Sequence, residues 1–323
     1  MNAFSYARPR GLADALRLLR SGAAALAGGT DLLGLMKDGL AKPDMLVDLT
    51  GIEGLRGWSH ERGKGLRIGA LTPLAELETS DALARTMPIL REALRDAATV
   101  QLRTMGTVGG NLLQRNRCWY FRDEGTVCWL KGGTRCFAID GENRYHAILG
   151  ARDCVMVSPS DLVPALVAYD AEIYLVGSRG QRRMKLAELF IAPGGRERRE
   201  HALRPGELIT EIRVPEAALA RRGTYLKAMD RKAWSFALVS VAAAARIERG
   251  AAHDVRIVLG GVAPVPWRVL AAEKGLEGSA LEDAACADAA DRVLAGATPL
   301  RENGYKVTLA RELVRRALRS LVA

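Results

Sequence analysis

A chain of 323 residues exceeds the usual size of one hydrophobic core, so two or three domains are expected. Its 49% hydrophobic and 26% charged residues are ordinary for a globular protein, and no apolar run reaches membrane-spanning length. The net charge of +10 lies on scattered arginines without a nucleic-acid motif, and 5% aromatics are too few for base-stacking platforms, so an acidic protein partner or plain solubility explains the charge better than nucleic acid.

The opening Met1-Asn-Ala-Phe-Ser-Tyr6 lacks the charged lead and apolar core of a secretory signal. The expected compartment is therefore the cytoplasm, with the periplasm as the alternative if a partner subunit carries the chain out. Apolar residues at helical spacing predict a helix over 10–20, stopped by Gly22. A strand over 23–27, a helix over 32–37 and a strand over 45–49 follow. Between the first strand and the second helix stands Gly28-Gly29-Thr30-Asp31. Glycines at that junction let a backbone approach a ligand closely, and first-turn N–H groups favour an anion such as phosphate. On four residues alone, a tight turn with Thr30 or Asp31 as N-cap is the stronger reading.

Further on, the pattern predicts a strand from Leu66 and helices over 73–78 and 82–97, the latter broken by Pro88. A second glycine turn, Thr107-Val108-Gly109-Gly110-Asn111, comes next. Strands are expected over 162–168 and 171–176, a turn over 180–183, a short helix over 186–190, and a strand over 207–215 ended by proline. Residues 216–223 read as a boundary. Beyond it, strands over 225–229, 237–247 and 255–261 and helices over 264–274, 281–294 and 307–321 predict a separate α+β unit.

Four of the five cysteines fall within one stretch, spaced Cys118-x9-Cys128-x7-Cys136-x17-Cys154. No pair has the two-residue spacing of a zinc ribbon, so density and the neighbouring Trp119, Tyr120, Phe121, Trp129 and Phe137 are the signal. An iron–sulfur cluster, a zinc site, two disulfides and unrelated buried thiols all remain open from spacing. Cys286 reads as a small core residue. The histidines, His60, His146, His201 and His253, each stand alone, with no His–Cys or His–Asp pairing to suggest hydrolytic chemistry.

Taken in order, these motifs resemble the flavin-binding medium subunits of the molybdenum hydroxylases, the family of xanthine dehydrogenase, carbon monoxide dehydrogenase and 4-hydroxybenzoyl-CoA reductase. Ala27-Gly-Gly-Thr-Asp-Leu32 resembles the first flavin-diphosphate loop, Thr107 to Asn111 the second, and Ser160-Asp161-Leu162 the element that follows. Gly206-Glu-Leu-Ile209 and Tyr225-Leu-Lys227 resemble the family's last two flavin contacts. The resemblance implies an α+β fold. A two-part FAD-binding domain of the CO-dehydrogenase flavoprotein (PCMH) type would occupy 1–216, dividing near 55–65, with a C-terminal α+β domain over 224–323.

Here more than forty residues separate the second glycine turn from Ser160, forming a Cys-rich insert over 112–158. Such an insert resembles those of 4-hydroxybenzoyl-CoA reductase and, more closely, of bacterial periplasmic aldehyde oxidoreductase, where it holds a [4Fe–4S] cluster. By resemblance, Cys118, Cys128, Cys136 and Cys154 would be its ligands. Leu26, Ala27, Gly28, Gly29, Thr30, Asp31 and Leu32, with Thr107, Gly109, Gly110 and Asn111, would hold the FAD diphosphate and ribityl chain. Asp161 would accept cofactor hydroxyls, Leu208 would pack on the flavin ring, and Lys227 would face its pyrimidine edge. No residue need act directly on the organic substrate. The implied function is electron transfer, from [2Fe–2S] clusters of a small partner to FAD and on to an external acceptor. A large partner would carry the molybdenum cofactor and oxidise an aldehyde. The alternatives are a flavin subunit of a hydroxybenzoyl-CoA-reductase-like enzyme and a zinc-stapled FAD-binding scaffold without a redox relay.

Overall fold

The computed structural model describes residues 1–19 and 22–323. Strands β1 (Ser5–Ala7), β2 (Ala23–Leu26) and β3 (Met45–Asp48) form a small parallel sheet in the order β1-β3-β2. Parallel strands require crossovers, and helices Leu12–Leu18 and Leu32–Lys37 supply them. The first helix is shorter than the expected span, and Arg20 of that span lies outside the described residues.

β4 (Trp58–Glu61), β5 (Gly65–Gly69), β6 (Glu172–Gly177), β7 (Gly180–Lys185) and β8 (Leu208–Val214) build an antiparallel sheet ordered β4-β5-β8-β6-β7. The helix expected over 82–97 is two, Asp81–Thr86 and Pro88–Arg95, with Pro88 opening the second where its missing N–H costs nothing. Helix Val100–Met105, not expected from the pattern, leads into the second glycine turn.

Three expectations are corrected. Residues 162–168 form a helix, Leu162–Ala168, and not a strand; all seven residues are buried, so no polar face reveals a helical period. Residues 180–183 belong to β7 rather than to a turn. β7 is an edge strand whose Arg183 and Lys185 face water, the polarity that edges use against further pairing. Within 264–274 only Leu270–Lys274 is helical, because Trp267 exchanges backbone hydrogen bonds with Leu259 in both directions.

β9 (Arg222–Ala228), β10 (Val239–Glu248) and β11 (Ala251–Gly260) form the third sheet, ordered β11-β10-β9. Its two faces serve two cores. Val239, Val241, Ala243 and Ala245 pack under helices Asp283–Leu294 and Tyr305–Ser320, whereas Ala242 and Ala244 join the core that contains Leu162–Ala168. The period-2 alternation of β10 thereby fastens the C-terminal unit onto the rest of the chain. Cys286 is fully buried in the first of these cores, as a small apolar residue.

Leu166, fully buried at this junction, tests it. Leu166→Ala is expected to cost about 3 kcal/mol through the cavity it leaves, read as a lowered denaturant midpoint. A midpoint equal to wild type would show that the buried helix does not carry the junction.

Candidate functional site

The two glycine turns lie against each other. A side chain at Gly28 would put its Cβ 1.7 Å from the Met105 carbonyl oxygen, and one at Gly106 would come within 3.5 Å of Thr30 Oγ1. Only glycine lets these backbones meet so closely. Thr107 caps the helix Val108–Leu112, its Oγ1 accepting the Gly110 N–H at 3.2 Å, and Gly109 lies tight against Ala70. Asn111 Oδ1 accepts the Ser160 hydroxyl at 2.5 Å, which ties the end of the second turn to the far side of the insert.

A cavity of about 1010 Å³ opens over this junction. Thr30, Asp31, Gly106, Gly110, Asn111, Ser160 and Asp161 line it from the N-terminal unit. Arg117, Cys118, Trp119 and His146 line it from the insert, and Trp234 and Phe236 from the loop between β9 and β10. Trp234 and Phe236 are exposed aromatics on a connecting loop, a placement that invites a binding role and was legible as such only from their loop position. Sequence reasoning passed over these two and the insert's contribution to the wall.

Asp161 is buried, with Oδ1 accepting the Tyr225 hydroxyl at 2.7 Å and Oδ2 accepting Lys227 Nζ at 2.9 Å. Burial raises its carboxyl above the usual range while the Lys227 ammonium pulls it back. Lys227, with no exposed side-chain surface, also donates to the Asp96 carbonyl at 2.7 Å, so it lies behind Asp161. Leu208 packs with Val47, Leu55 and Val176 in the core beneath the small parallel sheet. Leu26 ends β2, Ala27 packs against that same core, Gly29 turns the chain at φ +71°, and Leu32 opens its helix.

The insert is held at both ends. Asp31 accepts the Arg115 backbone N–H at 2.8 Å and pairs with Arg117 at 2.9 Å and Arg122 at 2.8 Å. Buried Glu200 takes the Arg115 side chain at 2.5 Å and the Asn116 N–H at 3.0 Å. At the other end, Lys306 Nζ, fully buried, donates to the carbonyls of Tyr145, His146 and Gly261 at 2.8, 3.1 and 2.8 Å. Among the described residues no carboxylate pairs with it, and burial pushes the ammonium down to about 7. Asn303 adds bonds to the His146 and Ala147 carbonyls, each 3.2 Å.

Cys128 and Cys154 are buried in an apolar cluster with Leu35, Phe121, Trp129, Leu130 and Met156, and Cys118 packs at its edge. The four cysteines gather around this one apolar cluster, Cys136 joining it through its hydrogen bond with Cys154. All are free thiols, so the two-disulfide reading that the spacing left open is not the one the structure adopts. The Cys154 thiol donates to Cys136, which brings Cys136 down to about 6 and drives Cys154 up. Burial pushes Cys118 up to about 12. Backbone N–H groups point at three of the sulfurs: Tyr120 and Phe121 at Cys118, Ala138, Ile139 and Val155 at Cys136, Met156 at Cys154. Among the described residues, no three His, Cys, Asp or Glu side chains meet closely enough to ligate one metal ion.

The histidines do not all stand alone. His146 Nε2 lies 3.1 Å from Cys118 Sγ, a His–Cys pairing that 28 residues of separation hide in the sequence. His60 and His253 pair with Glu216 and Glu277 at 2.9 and 2.7 Å, away from the cavity. Burial keeps His146 and His201 neutral, each near 4.

The family model for the FAD binding domain in molybdopterin dehydrogenase matches residues 2–217, and that for the CO dehydrogenase flavoprotein C-terminal domain matches 224–321. The chain is 37% identical to the aldehyde oxidoreductase FAD-binding subunit PaoB of Escherichia coli, over 100% of this chain and 98% of that one. It is 31% identical to the carbon monoxide dehydrogenase medium chain of Afipia carboxidovorans, covering 98% and 95%. A solved carbon monoxide dehydrogenase structure from Hydrogenophaga pseudoflava superposes with a TM-score of 0.78 at 28% identity, over 99% of this chain and 97% of that one.

Replacing Asp31 by Asn would remove the carboxylate that pairs with both Arg117 and Arg122. Their side chains are partly buried, so the expected destabilisation of the insert is about 2 kcal/mol, below the value for a fully buried pair. Hydrogen exchange should accelerate in peptides from 112–158 and not in the C-terminal helices. Equal protection in both proteins would show that Asp31 does not anchor the insert.

Proposed function

This chain belongs to the FAD-binding medium subunits of the molybdenum hydroxylases, and from that premise we propose that it carries FAD and a [4Fe–4S] cluster in a heterotrimeric aldehyde oxidoreductase. Its partners are then a large molybdenum-cofactor subunit and a small [2Fe–2S] subunit. The observation that carries the reading is the joining of a dinucleotide-sized cavity, walled by both glycine turns, to a pocket of four thiols through Cys118, which belongs to both.

The cavity fits FAD in size and chemistry. Its volume reaches the upper range of small-molecule sites, and the Gly28–Met105 contact keeps the turn backbones open to a diphosphate. Thr30 adds a hydroxyl donor, and Asn111, fixed by Ser160, orients an amide toward the ribityl chain. Asp161 keeps lone pairs for cofactor hydroxyls beyond its bonds to Tyr225 and Lys227. Lys227 brings its positive charge close from behind that carboxylate. Bound FAD supplies chemistry that accepts electrons singly and releases two.

Cys118, Cys128, Cys136 and Cys154 fit an iron–sulfur cluster by donor chemistry: four thiols, an apolar wrapping and backbone N–H groups directed at sulfur. A four-iron cluster holds its thiolates farther apart than one zinc ion does, which favours it over the zinc staple for thiols that share a pocket without converging on a point. The cluster supplies a one-electron relay beside the flavin. Among the described residues no helix is long and apolar enough to cross a membrane, and the compartment of the complex follows from whichever partner directs it.

The native complex is expected to be yellow-brown, with one FAD and four irons beyond those of its small subunit. Gly28→Ala, driven into the Met105 carbonyl, should weaken FAD retention at least tenfold, about 1.4 kcal/mol. Cys118→Ser should lower iron while FAD remains. A colourless complex without FAD would sink the flavin reading; zinc without the extra iron would sink the cluster.

A further inference from the structure

His146 reaches Cys118 from the far end of the insert. Its Nε2 lies 3.1 Å from Cys118 Sγ, while its Nδ1 is buried and has no hydrogen-bond partner. The ring is clamped by its own backbone. His146 N–H donates to the Asn143 carbonyl at 3.0 Å, and its carbonyl receives Asn303 and Lys306 from the start of the C-terminal helical layer. Trp119 meets the imidazole edge-on at 5.6 Å.

We propose that His146 is a positioning residue for the cysteine centre, its Nε2–H donating to the Cys118 sulfur and setting how readily that centre accepts an electron. The proposal rests on the reading of Cys118 as a cluster ligand. A ligating sulfur is a thiolate, which only accepts, so the imidazole proton belongs on Nε2. Nδ1 is then the bare nitrogen, in keeping with its lack of a partner.

The direction of the effect follows from charge. Reduction adds one negative charge to the centre, and a donor to its sulfur stabilises the more negative form. Cys118 already receives the N–H groups of Tyr120 and Phe121, both from its own turn. His146 differs from them because it comes from the other end of the insert and is fixed by Asn303 and Lys306. The C-terminal domain therefore reaches Cys118 through this side chain. Both His146 and Cys118 line the cavity, so this bond stands between the thiol pocket and the cofactor cavity.

The test is a redox titration of the intact complex monitored by electron paramagnetic resonance, on wild type, His146→Phe and His146→Gln. His146→Phe keeps a flat ring without a donor. It should retain iron, lose a coupling to an exchangeable proton, and show a reduction equilibrium about tenfold less favourable, roughly 59 mV lower for one electron. His146→Gln keeps a donor and should recover both the coupling and most of the potential. If His146→Phe loses its iron, the coupling and potential of His146→Gln decide. Full iron with wild-type coupling and potential in His146→Phe overturns the proposal and leaves the cluster reading intact. His146→Gln without the coupling also overturns it. Wild type with no iron above that of the small subunit removes the cluster reading, and this inference with it.

Discussion

The carboxylate of Asp31 is the contact on which the site's arrangement depends. It stands at the end of the first glycine turn, where an N-cap is the plain expectation, yet it makes no capping bond to its own helix. Its oxygens go instead to Arg115, Arg117 and Arg122. Two guanidinium groups brought so close repel, and burial draws Arg117 down while Asp31 holds it charged. With Glu200 on Arg115, this carboxylate neutralises the start of a long insert and sets it against the turn that faces the cavity. The net basic charge of the chain conceals this local balance.

A second constraint comes from the far end of the sequence. Lys306 is a buried amine with no carboxylate partner among the described residues, and three backbone carbonyls accept its N–H groups. Removing those carbonyls would leave a buried polar group without hydrogen-bond partners, so the insert and the C-terminal domain are costly to separate. Gly261, at the end of β11, is one of the three acceptors. The strand that packs against the buried helix Leu162–Ala168 and the segment that carries His146 therefore share one lysine.

The glycine turns, the order of elements and the gathering of cysteines are legible in the sequence because each leaves a local mark: a residue type at a φ or a contact that others cannot adopt, or an apolar period. What resists reading is set by partners far away in the chain. Leu162–Ala168 is buried on every side, which erases the helical period, and β7 is polar because it is an edge. Asp161 and Lys227 can be picked out individually, but their bond to each other and to the Asp96 carbonyl joins three segments. His146 has no neighbour in sequence to mark it. The Cys118 sulfur that gives it meaning is 28 residues away, and Lys306 and Asn303 hold the His146 backbone so that the ring meets it.

These anchors also explain why an insert of this length can sit beside a cofactor cavity without obstructing it. A loop of more than forty residues tied at its ends alone would retain many conformations, since closure entropy rises only slowly with length. Here the ties are distributed: Asp31 and Glu200 at entry, Asn303 and Lys306 on the return, and the Asn111–Ser160 bond across its mouth. Each tie removes freedom from a shorter span, and the thiols lie on the spans between them. Bringing four sulfurs into one apolar pocket then costs less chain entropy at the moment of assembly, because folding of the two flanking domains has already restricted the segments that bear them. On this reasoning the thiol pocket depends on both domains being docked, and the bond from His146 to Cys118 is where that dependence reaches the sulfur itself.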